Sequence, residues 1–313
     1  MKSHLLPCLL ISLAATLVAV AFWKPSDLAI NQSGLYEFDQ RISIVATFYP
    51  IGEFARQVGG DLITVTVLTP AGAEPHEYEP TPQQIGQVYD ADIFLTNGGE
   101  VDVWATDLIP ELETRGVKTV EMSTVIDTLE MEEDGEVQMD PHFWLDPSLA
   151  MHEVELIRDT LSSVDPKNIS TYTLNATRYL ADLSALDTAF QTELATCDQR
   201  TVVTSHDAFG YMATRYHFTI LSLLGLSPEE EPSAGELADI AKEAKAKGVK
   251  YIYFETLVSP KLSETIAREI GATTLVLNPL EGLSEKEISQ GESYLSVMRQ
   301  NLANLKTGMV CHD

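Results

Sequence analysis

Four short stretches carry side chains that could do chemistry together. His76 sits in AEPHEYEPTP, His142 in DPHFWLDP, His206 in TSHDAFGY and Glu281 in NPLEGLS. His206 directly follows the apolar run TVVTS, the Glu281 stretch continues from TTLVLN, and His76 lies in a short loop beyond a third such run. In open parallel sheets ligands bind at the carboxyl ends of the strands, so two such edges facing across a cleft would let all four side chains converge. Three neutral imidazoles and one carboxylate make a four-coordinate N3O set, which suits Zn2+, a borderline cation with a tetrahedral preference. Ca2+ and Mg2+ want mostly oxygen, and Mn2+, which accepts mixed nitrogen and oxygen ligands, is the alternative cation.

The surrounding residues would hold these ligands stiffly. Pro75 and Pro141 precede the first two histidines, and each is followed by a helix start, Thr81 with Pro82 and Asp146 with Pro147, in which a capping side chain precedes a first-turn proline. Ligands that need little reordering bind a cation more tightly. One histidine beside aromatic rings is by default a packed residue; two matching arrangements plus a strand-end histidine and glutamate point to a shared role. The other histidines read as bystanders: His4 in an apolar leader, His152 on a helix, His217 at the start of a strand and His312 beside the terminus. Phe143 and Trp144 read equally as a shield around the cleft or as ordinary core.

Catalysis is the competing class. Ser205, His206 and Asp207 contain the letters of a hydrolytic triad, but neighbours in sequence cannot point at one another. No G-x-S-x-G, H-E-x-x-H, P-loop or G-x-G-x-x-G is present. A three-histidine zinc site with a bound water would be hydrolytic, whereas a fourth protein ligand from Glu281 closes the site. The expectation is a binding protein and no enzyme, with a zinc hydrolase on the same scaffold as the alternative and a surface adhesin as a third reading.

The elements that must position these residues follow a βα rhythm. Strand-like runs begin at Ile42, Leu62, Ala91 and Gly116, and after an interval they resume at Thr201, His217, Gly248 and Thr273. The interval holds Tyr172, Ala176, Tyr179, Leu180, Leu183, Leu186 and Phe190, a three-to-four-residue period that predicts one long helix. Helices are expected near 234–247, 260–270 and 286–306, and the acidic MEEDGEVQMD from Met131 reads as a loop. Strands joined by helices pair in parallel, so the predicted fold is α/β: two (β/α)4 lobes with parallel sheets joined by one long backbone helix. The boundaries are 41–164 for the first lobe, 165–198 for the linking helix and 199–313 for the second lobe, with a tether over 24–40.

At 313 residues, 44% hydrophobic and 21% charged, the chain is globular, and a net charge of −27 disfavours nucleic acid and anionic membrane surfaces. Residues 1–23 combine Lys2, an apolar run and small residues at Ala19 and Ala21, which reads as an export signal peptide or an N-terminal anchor. Beyond them only Cys197 and Cys311 remain, an even number in an oxidising compartment, consistent with one disulfide.

Taken in order, ATFYPIGEFARQVGGD, EPHEYEPTPQQI, DPHFWLDP, SHDAFGY and NPLEGL resemble the metal-binding receptors of the cluster 9, or A-I, class of ABC importers, over about Ile42 to Lys306. The resemblance implies a zinc or manganese receptor that is periplasmic or held on the outer face of the cytoplasmic membrane. It would act as a monomer and deliver its ion to an ABC permease. By motif its ligands would be His76, His142, His206 and Glu281. Manganese members look like two histidines with two carboxylates, so His206 favours zinc. Some zinc members place an aspartate where this chain has Asn278, which leaves Asn278 as the weaker candidate beside Glu281. Unlike many zinc relatives, this chain has no histidine between Thr124 and Met139. Some relatives also act as adhesins, and nothing in the residues separates that role.

Overall fold

The β-branched and apolar runs form two parallel sheets in a computed structural model that describes residues 41–133, 136–228 and 232–312. The export segment and the tether lie outside the described residues. In the first sheet β1 (Ile42–Ala46), β2 (Ile63–Val67), β3 (Ile93–Thr96) and β4 (Lys118–Glu121) are ordered β2-β1-β3-β4. The connecting helices are α1 (Tyr49–Gly59), α2 (Pro82–Tyr89), α3 (Val103–Thr106) and α4 (Ile109–Arg115). Neighbouring residues of a strand point to opposite faces. Ile44 accordingly enters a central core, whereas Val45 packs with Phe94 and Leu112 under the outer helices.

The acidic stretch expected as a loop contains a hairpin instead. Strands β5 (Glu130–Glu133) and β6 (Glu136–Met139) pair antiparallel, with Glu130 opposite Met139 and Met131 opposite Gln138. The backbone N–H of Asp140 donates to Leu129 O at 2.9 Å and closes the base, and this fixes where the DPHFWLDP stretch begins. Its acidity suggested a loop, but Val137 and Met139 alternate with polar residues, and that is a strand pattern.

Helix α5 (Pro147–Val164) then packs along α6 (Ile169–Glu193), the 25-residue helix joining the two sheets. The buried face of α6 is formed by Tyr172, Ala176, Tyr179, Leu183, Leu186 and Phe190 together with Asp187, while Leu180, the seventh residue whose spacing predicted the helix, is half-buried. The second sheet has β7 (Thr201–Thr204), β8 (Thr219–Ser222), β9 (Tyr251–Phe254) and β10 (Thr273–Val276) in the order β10-β9-β7-β8. Its helices are α7 (Gly210–Tyr216), α8 (Ala234–Ala246), α9 (Lys261–Ile270), α10 (Glu285–Ser289) and α11 (Tyr294–Gly308). Val202 joins the central core and Val203 packs outward with Ala244 and Ile252. Each sheet is thus covered on both faces, with the central core shared between them.

Two local expectations change. The helix expected over 286–306 is two helices, because Gly291 takes a left-handed backbone (φ 77°) and Ser293 caps a new start, its side chain accepting from Ser296 N. His217 does not begin a strand; it ends α7 in the left-handed region (φ 61°), and β8 starts at Thr219.

Cys197, after α6, and Cys311, after α11, form a disulfide across 114 residues of sequence. The backbone N–H groups of Asp198 and Gln199 donate to Val310 O and Met309 O beside it, so the chain end is tied to the linking helix. Closing so long a loop removes conformational freedom from the unfolded chain, about 3–5 kcal/mol in the entropic account. Replacing both cysteines by serine should therefore lower the urea midpoint, and reductant should reproduce that shift in the unsubstituted protein while leaving the double variant unchanged.

Candidate metal centre

Each of the four side chains is set by its own local device. The loop bearing His76 is fastened at both ends by Gln84. Its Nε2 donates to Leu68 O at 2.8 Å, and its Oε1 accepts from Thr81 N at 2.9 Å and Tyr78 OH at 2.7 Å. Thr81 caps α2 as expected, and Gln84 completes a capping box with it. His142 follows Pro141, whose carbonyl accepts from Asn97 Nδ2 at 3.0 Å, and Asp146 caps α5 by accepting from Ser148 N at 2.8 Å. His206 comes two residues after β7, which lies beside β9 where the connections of the second sheet reverse direction. Glu281 ends a tight turn after β10.

The ligand atoms of His76, His142, His206 and Glu281 all lie within 4.8 Å of one another. His142 Nε2 is 3.2 Å from His76 Nε2 and 3.3 Å from His206 Nε2. Glu281 Oε1 is 3.4 Å from His76 Nε2, 3.4 Å from His142 Nε2 and 3.1 Å from His206 Nε2. Ligand atoms around a tetrahedral zinc, at about 2.0–2.1 Å from the metal, are about 3.3 Å apart. These five contacts match edges of such a tetrahedron, and the sixth pair, His76 with His206, lies within the 4.8 Å that spans the set.

Hydrogen bonding on the far side of two rings fixes which nitrogen faces inward. His142 Nδ1 is 2.9 Å from Asp140 Oδ1, and His206 Nδ1 is 2.7 Å from Glu255 Oε1. A carboxylate accepts, so each Nδ1 carries a proton, and each ring when neutral presents an Nε2 lone pair to the others. The Glu281 carboxylate adds acceptor oxygens without a hydrogen-bond partner, and its side chain is 0% exposed. Electron pairs aimed at one buried point repel unless a cation or protons lie between them.

The titration behaviour follows from that crowding. Burial draws His206 down, but the charges of Glu255 and Glu281 outweigh it and hold the imidazole well above its ordinary value. His142 is also raised, its burial overcome by Asp140 and Glu281. His76 is lowered, because burial outweighs its contact with Glu281. Burial alone would raise Glu281, yet the imidazoles, His206 foremost, hold it well below. Glu74, half-buried and facing Glu281, is pushed up to about 10.

The fold thus brings together all four side chains named from sequence. Asn278 is not among them: its Oδ1 accepts from Leu280 N at 2.7 Å and its Nδ2 donates to Thr256 Oγ1 at 3.0 Å. His152 is exposed, and His312 Nε2 pairs with Asp198 at 2.9 Å. Phe143 and Trp144 are fully buried core, and Trp144 also lies against the site, its ring 5.2 Å from that of His142. Sequence reasoning missed Asp140 and Glu255, the carboxylates that orient the rings. The available signals were an acid two residues before His142 and another directly after β9.

Comparison with known proteins agrees with this geometry. The family model for the periplasmic zinc-uptake complex component A, ZnuA, matches residues 44–308. The zinc-binding lipoprotein AdcA of Streptococcus pneumoniae is 40% identical over 279 residues, covering 86% of this chain and 56% of AdcA, so the chain spans little more than half of that relative. The Zn(II)-bound ZnuA-like domain of AdcA superposes with a TM-score of 0.76 at 41% identity, covering 86% of this chain and 99% of the domain. The high-affinity zinc uptake system protein ZnuA of Bacillus subtilis is 39% identical, covering 86% of this chain and 88% of its own length. The laminin-binding protein Lmb of Streptococcus agalactiae, described as having adhesin and metal transporting activity, gives a TM-score of 0.79 at 32% identity, covering 86% of this chain and all of that one (100%).

Glu255→Gln and Asp140→Asn each remove a charge that fixes a tautomer while keeping the side chain's shape. Outer-shell changes of this kind typically cost 10–100-fold in metal affinity. Each variant should weaken zinc binding by roughly tenfold or more in a chelator competition, whereas Asp198→Asn, beside His312, should leave it unchanged.

Proposed function

The chain belongs to the ZnuA family of zinc-uptake components, and on that premise we propose that it captures Zn2+ outside the cytoplasm and passes it to an ABC permease for import. His76, His142, His206 and Glu281 are the ligands in this reading. The observation that carries it is the set of three Nε2 atoms and one carboxylate oxygen, five of whose mutual contacts are tetrahedral edge distances, drawn from both halves of a single chain and with side chains 0–3% exposed. A single copy therefore suffices. Residues 41–164 and 199–313 act as lobes on either side of a linking helix over 165–198, and residues 1–23 direct export.

Zinc is favoured over manganese because three nitrogens and one oxygen suit a small tetrahedral cation, while Mn2+ gains more from additional oxygen ligands. The fourth protein ligand leaves no open position for water, so the site holds its ion as cargo instead of activating a nucleophile. Direct metal analysis after exposure to equal zinc and manganese should return zinc, and Glu281→Ala should weaken zinc binding by more than about 100-fold, beyond the range of outer-shell changes. Equal retention of manganese would sink the zinc assignment.

The raised histidines also set a pH dependence. A histidine whose folded value lies above the ordinary 6.5 or so contributes stability below that pH, and this is lost as pH rises through the folded value. The metal-free protein should accordingly lose stability as pH climbs from about 6.5 through the raised value of His206. Zinc needs neutral imidazoles, so its stabilising effect should grow over the same range. Thermal melts with and without zinc at about pH 5.5 and pH 8.5 would show this; an equal zinc-induced shift at both would mean that the imidazoles are not ligands.

A further inference from the structure

Glu281 is delivered by a turn that its own backbone does not favour. Leu280, immediately before it, is fully buried and adopts the left-handed region at φ 57°, a conformation that burdens any residue with a side chain and persists only where its surroundings impose it. Three hydrogen bonds impose it here. Asn278 Oδ1 accepts from Leu280 N at 2.7 Å across the turn. Asn301 on α11 grips both main-chain groups of Asn278, its Oδ1 accepting from Asn278 N at 2.9 Å and its Nδ2 donating to Asn278 O at 2.7 Å.

Two further bonds connect this turn to the histidines. Asn278 Nδ2 donates to Thr256 Oγ1 at 3.0 Å, and Thr256 follows Glu255, the acceptor that orients His206. Trp144, two residues after His142, donates from Nε1 to Pro279 O at 2.8 Å and so crosses from the first half of the chain to the second. A pocket of about 580 Å³, lined in part by Thr256, Asn278, Glu287 and Asn301, adjoins the turn.

We propose that Asn278 is a positioning residue: clamped by Asn301, it holds Leu280 left-handed so that the Glu281 carboxylate meets the three imidazoles. The proposal rests on Glu281 being a ligand. It accounts for the direction of the side chain, which points into the turn: its oxygen accepts from Leu280 N, while its nitrogen donates to Thr256 Oγ1 and lies 3.4 Å from Glu287 Oε1.

A double-mutant cycle tests it, with zinc affinity read by chelator competition and the melting temperature of the metal-free protein read alongside. Asn278→Ala should weaken zinc binding by about tenfold to 100-fold, the range for groups that orient a ligand. In the Glu281→Ala background the same change should cost nothing further, because the carboxylate it positions is gone. Asn301→Ala, which loosens the clamp from the α11 side, should behave the same way and serves if Asn278→Ala does not fold. Asn278→Asp keeps the oxygen that accepts from Leu280 and should retain affinity close to that of the unsubstituted protein without restoring binding to Glu281→Ala. Unchanged affinity in Asn278→Ala, an equal loss in both backgrounds, or restoration by Asn278→Asp would overturn the clamp. Unchanged affinity in Glu281→Ala would instead overturn the ligand assignment itself.

Discussion

The constraint on which the rest of the structure depends is the convergence of acceptors without a donor. Three Nε2 lone pairs and a carboxylate oxygen meet at 3.1–3.4 Å in a site closed to water. Left alone, such a cluster would swing apart or take up protons, and the raised His142 and His206 show the second tendency. A divalent cation relieves the repulsion in one step. The protein's task is to keep the cluster assembled before the ion arrives, so that binding energy is not consumed in reordering side chains.

That task is divided among forces of different range. Asp140 and Glu255 act at one bond's distance and set ring orientation. Capping at Thr81 and Asp146 acts over a helical turn and stops the histidine loops from sliding. The bonds Gly72 N to Leu283 O and Trp144 Nε1 to Pro279 O cross between the two halves and keep both ligand pairs in register. The central core beneath, including Phe54, Tyr172, Phe190 and Leu305, gives these bonds a rigid floor.

The acidic hairpin before DPHFWLDP carries no histidine of its own. Its sequence from Thr124 to Met139 offers no imidazole, and among the described residues it is His76, His142 and His206 that bring nitrogen ligands to the centre. Its described role is structural: its base ends at Asp140, and Met139 lies against Gly99, where a side chain would collide with it. The loop position is thus used to place an orienting carboxylate.

Much of this was legible in the residues because periodicity and local chemistry are short-range. The period of Tyr172 to Phe190 marked the linking helix, β-branched runs marked all eight strands of the two parallel sheets, and Pro-His followed by a capped helix marked two ligands. Other features depended on partners far away in sequence. Glu255 is an ordinary strand-end acid until the fold sets it 2.7 Å from His206, 49 residues earlier. Asn278 could be read as a ligand until its oxygen was seen to accept from Leu280 and its backbone to be gripped by Asn301. The break at Gly291 and the hairpin after Leu129 likewise turn on backbone choices that composition alone leaves open. Sequence by itself determined which side chains could coordinate an ion and on which elements they ride. Only the tertiary structure decided which acceptor each would face, because a hydrogen bond is satisfied by proximity in space, and proximity across 49 residues is set by how the sheets pack.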